Sequence, residues 1–278
     1  MRGLIFDIKE FALNDGEGIR TTVFLKGCPM RCIWCHNPEG LSPHKELYIK
    51  NNGCLNCGLC IKKCEHEECQ PFDRCLHICP RNLISISGTE WESGDLANKL
   101  LIHQNFFSST GGGVTFSGGE PLMQADFCLD VLKKLNGRIH RTVETSGFSG
   151  SHTFERFVSH CDFVIMDLKL ADTDMHLKYT GVSFEPILKN ALYLKNSEIP
   201  HLFRTPLIPG ITDTEENLSR ISEIVGDDPI ELLPYNRLAG AKYTGIGLKF
   251  TDLIDENRVG HYDQNHILSL FHNAKIRK

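Results

Sequence analysis

Three cysteines, Cys28, Cys32 and Cys35, follow a short apolar stretch and are separated from one another by three and by two residues. The stretch, residues 21–25, reads TTVFL and predicts a β-strand, so the three thiols share the loop that leaves this strand. A [4Fe–4S] cluster is commonly held by four cysteine thiolates. A loop that offers three leaves one iron open to a small molecule, as a catalytic metal site does. The loop therefore predicts an iron–sulfur centre that performs chemistry.

A zinc knot formed by the same three cysteines with His36 is the alternative, because zinc sites accept similar spacings. The whole chain has twelve cysteines, and ten of them fall between residues 28 and 79. Clustered cysteines in a chain without a signal peptide indicate metal ligands or redox groups rather than disulfides. The other two, Cys128 and Cys161, lie in apolar surroundings, and we assign them no function.

Further motifs occur in a fixed order along nearly the whole chain. They are DGEGIR at 15–20, GCPMRCIWCHNPE at 27–39, TFSGGEP at 115–121, ETSG at 144–147, MDLK at 166–169 and LLPY at 232–235. With these motifs the chain resembles the radical S-adenosylmethionine (SAM) enzymes. Within that class it resembles the activating enzymes of glycyl radical enzymes, the pyruvate formate-lyase activating enzyme family. This resemblance favours iron over zinc in the first loop.

The pattern of apolar residues predicts an α/β fold with one main core, a size that 278 residues allow. Strands are predicted at 20–26, 113–116, 140–144, 163–167, 202–207 and 230–233. Helices are predicted at 95–107, 122–135, 152–160, 185–195 and 213–225, the last with Thr212 or Asp213 as N-cap. Alternating strands and helices imply a parallel sheet. The resemblance implies a partial (β/α)6 TIM-like barrel, open on one side.

Residues 50–90 break this alternation and are rich in cysteine, so they predict a small inserted domain between 1–49 and 91–278 of the radical SAM core. Cys54, Cys57, Cys60 and Cys64 have the spacing of a bacterial ferredoxin, and Cys69, Cys75 and Cys79 follow, the last before a proline. A ferredoxin-like insert with one or two auxiliary [4Fe–4S] clusters is expected.

In a two-cluster ferredoxin the fourth cysteine of each run binds the other cluster, which groups Cys54, Cys57 and Cys60 with Cys79. Cys64, Cys69 and Cys75 then lack a fourth ligand. His66 is one candidate, because imidazole replaces thiolate on some cluster irons. Asp73 or a three-iron cluster is the alternative.

The resemblance assigns Cys28, Cys32 and Cys35 as catalytic cluster ligands and implies that SAM binds the open iron. It implies the following SAM-binding residues: Trp34, Cys35, His36, Gly118, Gly119, Glu120, Asp167, Leu168, Lys169, Arg204 and Asn236. Glu120 is expected to be a structural or a binding carboxylate. Asn236 departs from the family, which commonly has histidine there, and Glu17 stands where the family has proline.

Glu144, Thr145 and Asp167 match positions that hold a monovalent cation in some members of the family. Carboxylates solvated at strand ends are the alternative. Asp15 and Arg20 are expected to contact the partner protein.

The resemblance implies an enzyme, a radical SAM oxidoreductase that cleaves SAM to a 5′-deoxyadenosyl radical. This radical removes a hydrogen atom from a glycine in the C-terminal loop of a partner glycyl radical enzyme. Flavodoxin or ferredoxin is the expected reductant, and an anaerobic setting is expected. The alternatives are a radical SAM enzyme that acts on a small molecule, and an iron–sulfur electron-transfer protein without SAM chemistry.

Charge and hydropathy exclude two other classes. The net charge is −5 without a basic cluster, which is untypical of nucleic-acid binding. The sequence has no apolar run of 18 residues and no signal peptide, so we expect no membrane association and a cytoplasmic location.

Overall fold

The computed structural model describes residues 1–50, 52–236, 238, 240–260 and 262–277. The strands in these residues are β1 Arg2–Ala12, β2 Arg20–Leu25, β3 Glu46–Ile49, β4 Ile84–Ser87, β5 Thr89–Glu92, β6 Gly113–Gly118, β7 His140–Thr145, β8 Phe163–Asp167, β9 His201–Leu207, β10 Ile230–Pro234 and β11 Ala274–Ile276. The helices are α1 Ser93–Leu101, α2 Gln104–Thr110, α3 Ala125–Leu135, α4 Ser151–Val158, α5 Thr173–Thr180, α6 Glu185–Lys195, α7 Glu215–Val225, α8 Gly240–Tyr243 and α9 Gln264–Ser269. In the described residues no helix is both long and apolar enough to cross a membrane.

A nine-stranded sheet, counted over the described residues, has the order β11-β10-β9-β8-β7-β6-β2-β1-β5. The seven neighbouring strands β2, β6, β7, β8, β9, β10 and β11 are parallel to one another. On the other side of β2, β1 pairs antiparallel with both β2 and β5. Within the described chain, the edge strands β5 and β11 are not paired with each other, so the barrel stays open. The predicted parallel α/β sheet is confirmed, and its six predicted strands are β2 and β6–β10.

The two faces of the sheet differ in polarity because side chains alternate along a strand. Val114 and Phe116 of β6 point to the main hydrophobic core, together with Val143 of β7 and other buried residues. Their neighbours Thr115 and Ser117 form hydrogen bonds on the other, inner face. The interior of the open barrel is therefore a polar network, and the apolar core lies on the outer face of the sheet.

Several helix boundaries differ from the prediction. The predicted helix at 95–107 is divided into α1 and α2, with His103 at φ −97° and ψ 15° between them. The N-cap of α7 is Thr214, whose hydroxyl accepts a hydrogen bond from the amide of Asn217. The predicted caps Thr212 and Asp213 instead close the preceding turn, where Thr212 donates to Pro206 and Asp213 accepts from Gly210.

The cysteine-rich stretch lies between β3 and β4, which pair in an antiparallel two-stranded sheet from Glu46 opposite Ser87 to Ile49 opposite Ile84. The chain thus leaves and re-enters the barrel at one place. Gly245, in the 3-10 turn after α8, packs closely on Tyr48 of β3, since an added Cβ would lie 2.6 Å from the tyrosine ring.

Candidate active site

A cavity of about 270 Å³ lies at the carboxyl ends of the parallel strands, the usual site position in a barrel of this type. Predicted residues that line it are Cys28, Cys32, Trp34, Cys35, His36, Gly118, Gly119, Glu120, Glu144, Thr145, Asp167 and Lys169. Residues as far apart in the sequence as Cys28 and Tyr235, 207 positions, therefore meet at one cavity.

The loop that carries the three cysteines is held by backbone hydrogen bonds. The amide of Cys28 donates to the carbonyl of Leu41 at 3.3 Å, and the amide of Cys35 donates to Cys32 at 3.0 Å. The middle of the loop is bound to the end of α5, because the amide of Ile33 donates a hydrogen bond to the carbonyl of Tyr179 at 3.2 Å. The positions of the thiols are thus set by the surrounding backbone.

Burial raises the pKa of the Cys28 and Cys32 thiols to about 12, and it also raises the pKa of Cys35. These thiols are protonated at neutral pH unless a cation favours their charged form. Bound iron supplies such a charge. Three convergent thiols beside an open cavity therefore fit a thiolate-bound cluster with one free coordination position.

Gly118 and Gly119 allow the end of β6 to approach the cluster loop closely. Gly118 has a φ of +108°, in the region that favours glycine. A Cβ on Gly119 would lie 2.3 Å from the carbonyl oxygen of Gly27 and 2.5 Å from that of Gly40. The glycine pair is therefore required by backbone packing directly at the cavity.

Glu120 has a structural role in the site. Its carboxylate accepts hydrogen bonds from the hydroxyls of Thr145 and Ser146 at 2.6 Å each, and from the amides of Ser146 at 2.8 Å and Leu122 at 3.2 Å. Burial raises the pKa of Glu120, and these hydrogen bonds oppose that shift. Of the two roles expected for this residue, the structural one accounts for the contacts of both carboxylate oxygens.

Asp167 and Lys169 form an ion pair of 2.8 Å at the end of β8. Burial lowers the pKa of Lys169, but Asp167 and the sulfur of Cys32 outweigh this effect and raise the pKa above its ordinary value. Lys169 therefore remains an ammonium at the cavity wall. A cation at this position suits the carboxylate of an amino-acid ligand.

Arg204 lies inside the barrel rather than in the cavity wall. Its guanidinium donates to Glu144 of β7 at 2.6 Å and to Glu231 of β10 at 2.8 Å, and it is only 3% exposed. Burial lowers the pKa of Arg204, but the two carboxylates raise it above its ordinary value. Because both carboxylates occupy its donors, Arg204 positions Glu144 and is not placed to bind the SAM carboxylate directly.

The three residues of the predicted cation site already have protein partners. Glu144 accepts from Arg204 and from the hydroxyl of Ser117, and Asp167 accepts from Lys169. Thr145 donates to Glu120. Two protein cations thus neutralise the two carboxylates that the sequence offers to a bound cation.

Two other predicted SAM contacts do not line the cavity. Leu168 is fully buried in the main hydrophobic core, because it points away from the face that carries Asp167 and Lys169. Asn236 is exposed, and its side-chain carbonyl accepts from the amide of Leu238 at 2.9 Å. The preceding residue, Tyr235, lines the cavity in its place, with the ring of His36 edge-on at 6.1 Å between centroids.

Arg20 is buried and does not lie on a docking surface. Its guanidinium donates to the hydroxyls of Thr115 at 2.7 Å and Thr142 at 2.8 Å, and burial lowers its pKa to about 10. The expected contact of Arg20 with a partner protein is therefore corrected to a structural role. Asp15 is half-buried and accepts from the hydroxyl of Thr22 at 2.5 Å.

The cysteines of the insert form two groups. Cys54, Cys57, Cys60 and Cys79 line one cavity of about 340 Å³, together with Arg74, whose guanidinium donates to the sulfur of Cys60 at 3.3 Å. Cys64, His66, Cys69 and Cys75 bring their ligand atoms within 4.8 Å of one another. Asp73 is exposed and is not part of this convergent group.

The sequence motifs did not single out several residues that also line the active-site cavity. These are Met30, Asn37, Leu41, Ser146, Pro206, Ile208, Leu233 and Pro234. Most are apolar and occur at strand ends or in loops, where no periodic signal distinguishes a cavity wall from the core. Five of them nevertheless lie within the motifs quoted above, so that signal was present in the sequence: Met30, Asn37, Ser146, Leu233 and Pro234.

Comparisons with known proteins agree on the class. A family model described as a 4Fe-4S single cluster domain matches residues 14–188. A radical SAM methyltransferase from Sphaerobacter thermophilus is 14% identical and covers 97% of this chain and 75% of its own, with a TM-score of 0.54. That likeness supports the fold alone. The family model places the chain in the class of 4Fe-4S single cluster domain proteins, in agreement with the three-thiol cavity.

Three relatives are similar over most of both chains. The 4-hydroxyphenylacetate decarboxylase activating enzyme of Clostridium scatologenes is 35% identical, covering 90% of this chain and 88% of the relative. The isethionate sulfite-lyase activating enzyme of Oleidesulfovibrio alaskensis is 36% identical, covering 87% and 86%. The trans-4-hydroxy-L-proline dehydratase activating enzyme of Clostridioides difficile is 34% identical, covering 90% and 90%. The chain belongs to the glycyl radical enzyme activating enzymes.

Proposed function

We propose that the protein activates a glycyl radical enzyme. It cleaves SAM reductively to methionine and a 5′-deoxyadenosyl radical, and this radical removes a hydrogen atom from a glycine α-carbon of the partner. The single observation that carries the proposal is the convergence of Cys28, Cys32 and Cys35 with Gly119 and Lys169 on one cavity.

The residues of the cavity have separate tasks in this reaction. Cys28, Cys32 and Cys35 would hold a [4Fe–4S] cluster, which supplies the electron for cleavage when it is bound. The ammonium of Lys169 lies on the wall and suits the methionyl carboxylate. Trp34 and Tyr235, both largely buried, offer aromatic faces to the adenine. Burial of this wall excludes water, which protects a reactive carbon radical.

Residues 50–90 act in this proposal as a ferredoxin-like insert on a core of residues 1–49 and 91–278. The return of the chain at the β3–β4 pair supports this division. An auxiliary [4Fe–4S] cluster bound by Cys54, Cys57, Cys60 and Cys79 is proposed because all four cysteines line one cavity. A flavodoxin or ferredoxin is the proposed reductant, and the exposed Cys54 and Cys57 bring this centre close to the surface.

A monovalent cation beside Glu144, Thr145 and Asp167 would compete with Arg204 and Lys169, which neutralise the two carboxylates in this structure. SAM binding measured in potassium and in choline buffers of equal ionic strength tests this point. A cytoplasmic location is proposed because flavodoxin or ferredoxin would have to reach the protein there. Cell fractionation tests this location.

The central test uses the anaerobically purified protein, a reductant, SAM and a cognate glycyl radical enzyme. A doublet in the electron paramagnetic resonance spectrum is expected on the partner and is lost when the loop glycine of the partner becomes alanine. Cys32→Ala abolishes formation of 5′-deoxyadenosine because the cluster loses one of three ligands. Cys161→Ala is the matched control, since this buried thiol lies outside the cavity. Turnover of a free small molecule without a protein radical would contradict the proposal.

A further inference from the structure

The second donor group of the insert converges on a single point. The sulfurs of Cys64, Cys69 and Cys75 and a ring nitrogen of His66 all lie within 4.8 Å of one another. The distance from Nδ1 of His66 to Sγ of Cys75 is 3.9 Å. In the described part of the chain, it is the one group of His, Cys, Asp or Glu residues with donors that converge so closely.

The spacing of the donors distinguishes one metal ion from a cluster. Around a tetrahedral zinc ion with Zn–S of about 2.3 Å and Zn–N of about 2.0 Å, the donors stand roughly 3.5–3.8 Å apart. In a [4Fe–4S] cluster each protein ligand binds a different iron, so the ligand sulfurs stand roughly 6 Å apart. The distances between donor atoms in this group, all within 4.8 Å, are shorter than a cubane requires and nearer to the donor spacing of a single-ion site.

The adjacent group of four cysteines shows the contrast within the same insert. Cys54, Cys57, Cys60 and Cys79 surround a cavity of about 340 Å³. The two groups share one short segment of chain, yet the four cysteines line a cavity, whereas the other group brings its donor atoms within 4.8 Å of one another.

Local hydrogen bonds hold the convergent donors in place. The amide of Cys69 donates to the carbonyl of His66 at 3.1 Å, and the side chain of Gln70 donates to the carbonyl of Cys64 at 2.8 Å. The amide of Leu76 donates to the sulfur of Cys69 at 3.3 Å. Cys69 and Cys75 are 1% and 3% exposed. Both thiols are therefore protected from solvent and close to one another.

We propose that Cys64, His66, Cys69 and Cys75 bind one zinc ion as a Cys3His site, beside a single auxiliary [4Fe–4S] cluster. The proposal goes beyond the activase function and does not depend on it. Three thiolates and one neutral imidazole form a common donor set for structural zinc. It replaces the expected second cluster and its His66 or Asp73 ligand.

A zinc ion at this position would stabilise the neighbouring cluster site without carrying electrons, because zinc has no redox chemistry. Cys75 is next to that site, since its amide donates to the carbonyl of Cys60 at 2.8 Å. A zinc ion bound by Cys75 would therefore limit the movement of the segment that carries Cys60 and Cys79. Electrons then pass through one auxiliary centre rather than two.

The test is metal and sulfide analysis of the full protein, purified anaerobically from cells supplied with iron and zinc and without reconstitution. About eight iron atoms and about one zinc ion per chain are expected for two clusters and one Cys3His site. X-ray absorption at the zinc edge should show three sulfur ligands and one nitrogen ligand. About twelve iron atoms without zinc would overturn the proposal.

Variants identify the site. His66→Ala is expected to lower bound zinc at least about fivefold, and His66→Cys is expected to restore it, which keeps the test valid if the alanine variant folds poorly. His77→Ala is the matched control, because its ring packs on His66 at 4.8 Å between centroids and it lies outside the donor group. Cys57→Ala should lower iron and leave zinc bound. Unchanged zinc in His66→Ala would overturn the assignment.

Discussion

Lys26 and Glu46 form an ion pair of 2.7 Å that joins the start of the cluster loop to the strand that leads into the insert. Lys26 directly follows β2, and its buried ammonium also donates to the carbonyl of Glu39 at 2.7 Å. Glu46 is the first residue of β3. One charged pair therefore holds the chain that leads into the insert against the loop that carries Cys28, Cys32 and Cys35.

Lys26→Met is expected to lower the free energy of unfolding by about 2–3 kcal/mol, because it leaves a partly buried carboxylate without its partner. Urea denaturation of the anaerobic protein measures the loss. Lys45→Met is the matched control, since Lys45 and Glu90 form a pair of 2.9 Å with both side chains exposed. The control should lose less than about 1 kcal/mol. Equal losses would show that the Lys26 pair is solvated.

Arg204→Met is expected to destabilise the protein by about 3–5 kcal/mol, because the buried Glu231 and the partly buried Glu144 lose their shared cation. Arg220 also pairs with two carboxylates, Asp172 and Glu216, but it is exposed. Arg220→Met should therefore cost about 1 kcal/mol or less. Thermal unfolding of the two variants under the same conditions measures both losses. Equal losses would show that the ion pairs of Arg204 contribute no more than those of the exposed Arg220.

Gly119→Ala is expected to lower SAM cleavage at least about tenfold, because the added Cβ would displace the carbonyls of Gly27 and Gly40 and shift the cluster loop. Gly94→Ala is the control, since nothing lies within 4 Å of a Cβ at that helical position. It should retain activity and gain about 0.5–1 kcal/mol of stability. Chromatography of 5′-deoxyadenosine measures both variants. Full activity in Gly119→Ala would contradict the close approach.

His176 is expected to make stability depend on pH. Burial lowers its pKa from 6.5 to about 4, with Nδ1 donating to the carbonyl of Val182. Between these values the unfolded chain binds the proton and the folded chain does not, so stability falls as the pH drops. From pH 7 to 5.5 the loss from this residue is about 1 kcal/mol.

The comparison of wild type with His176→Asn at both pH values isolates this contribution. Asparagine keeps a donor for Val182 and does not titrate. The variant should therefore lose about 1 kcal/mol less than the wild type over the interval. The same pH dependence in both proteins would place the titrating group elsewhere.

The positions of six strands along the chain and the position of the cluster loop could be predicted from the sequence, because each depends on a pattern of neighbouring residues. Val114 and Phe116 alternate with polar residues, and this period of two identifies β6 without knowledge of its neighbours. The spacing of Cys28, Cys32 and Cys35 is fixed by covalent geometry. The first strand, β1, was not predicted, because charged residues interrupt its run of apolar residues.

The partners of buried charges were decided by tertiary structure. Arg204 and Glu144 are 60 positions apart, and only the parallel packing of β7, β8 and β9 brings them to one face. Arg20 matched a docking motif, yet it lies between Thr115 and Thr142 in the barrel interior. A sequence pattern carries the period of one element, but it does not carry the distance between side chains on different elements.

The donor groups of the insert show the same limit at shorter range. The sequence by itself predicted that residues 54–79 bind metal, because cysteines at these spacings are typical of metal ligands. Which donors share a centre, and whether they leave a cavity or converge, was decided only when the chain folded back so that Cys79 met Cys54 and His66 met Cys75. The physical reason is that ligand spacing in three dimensions, not in sequence, sets the size of the metal centre.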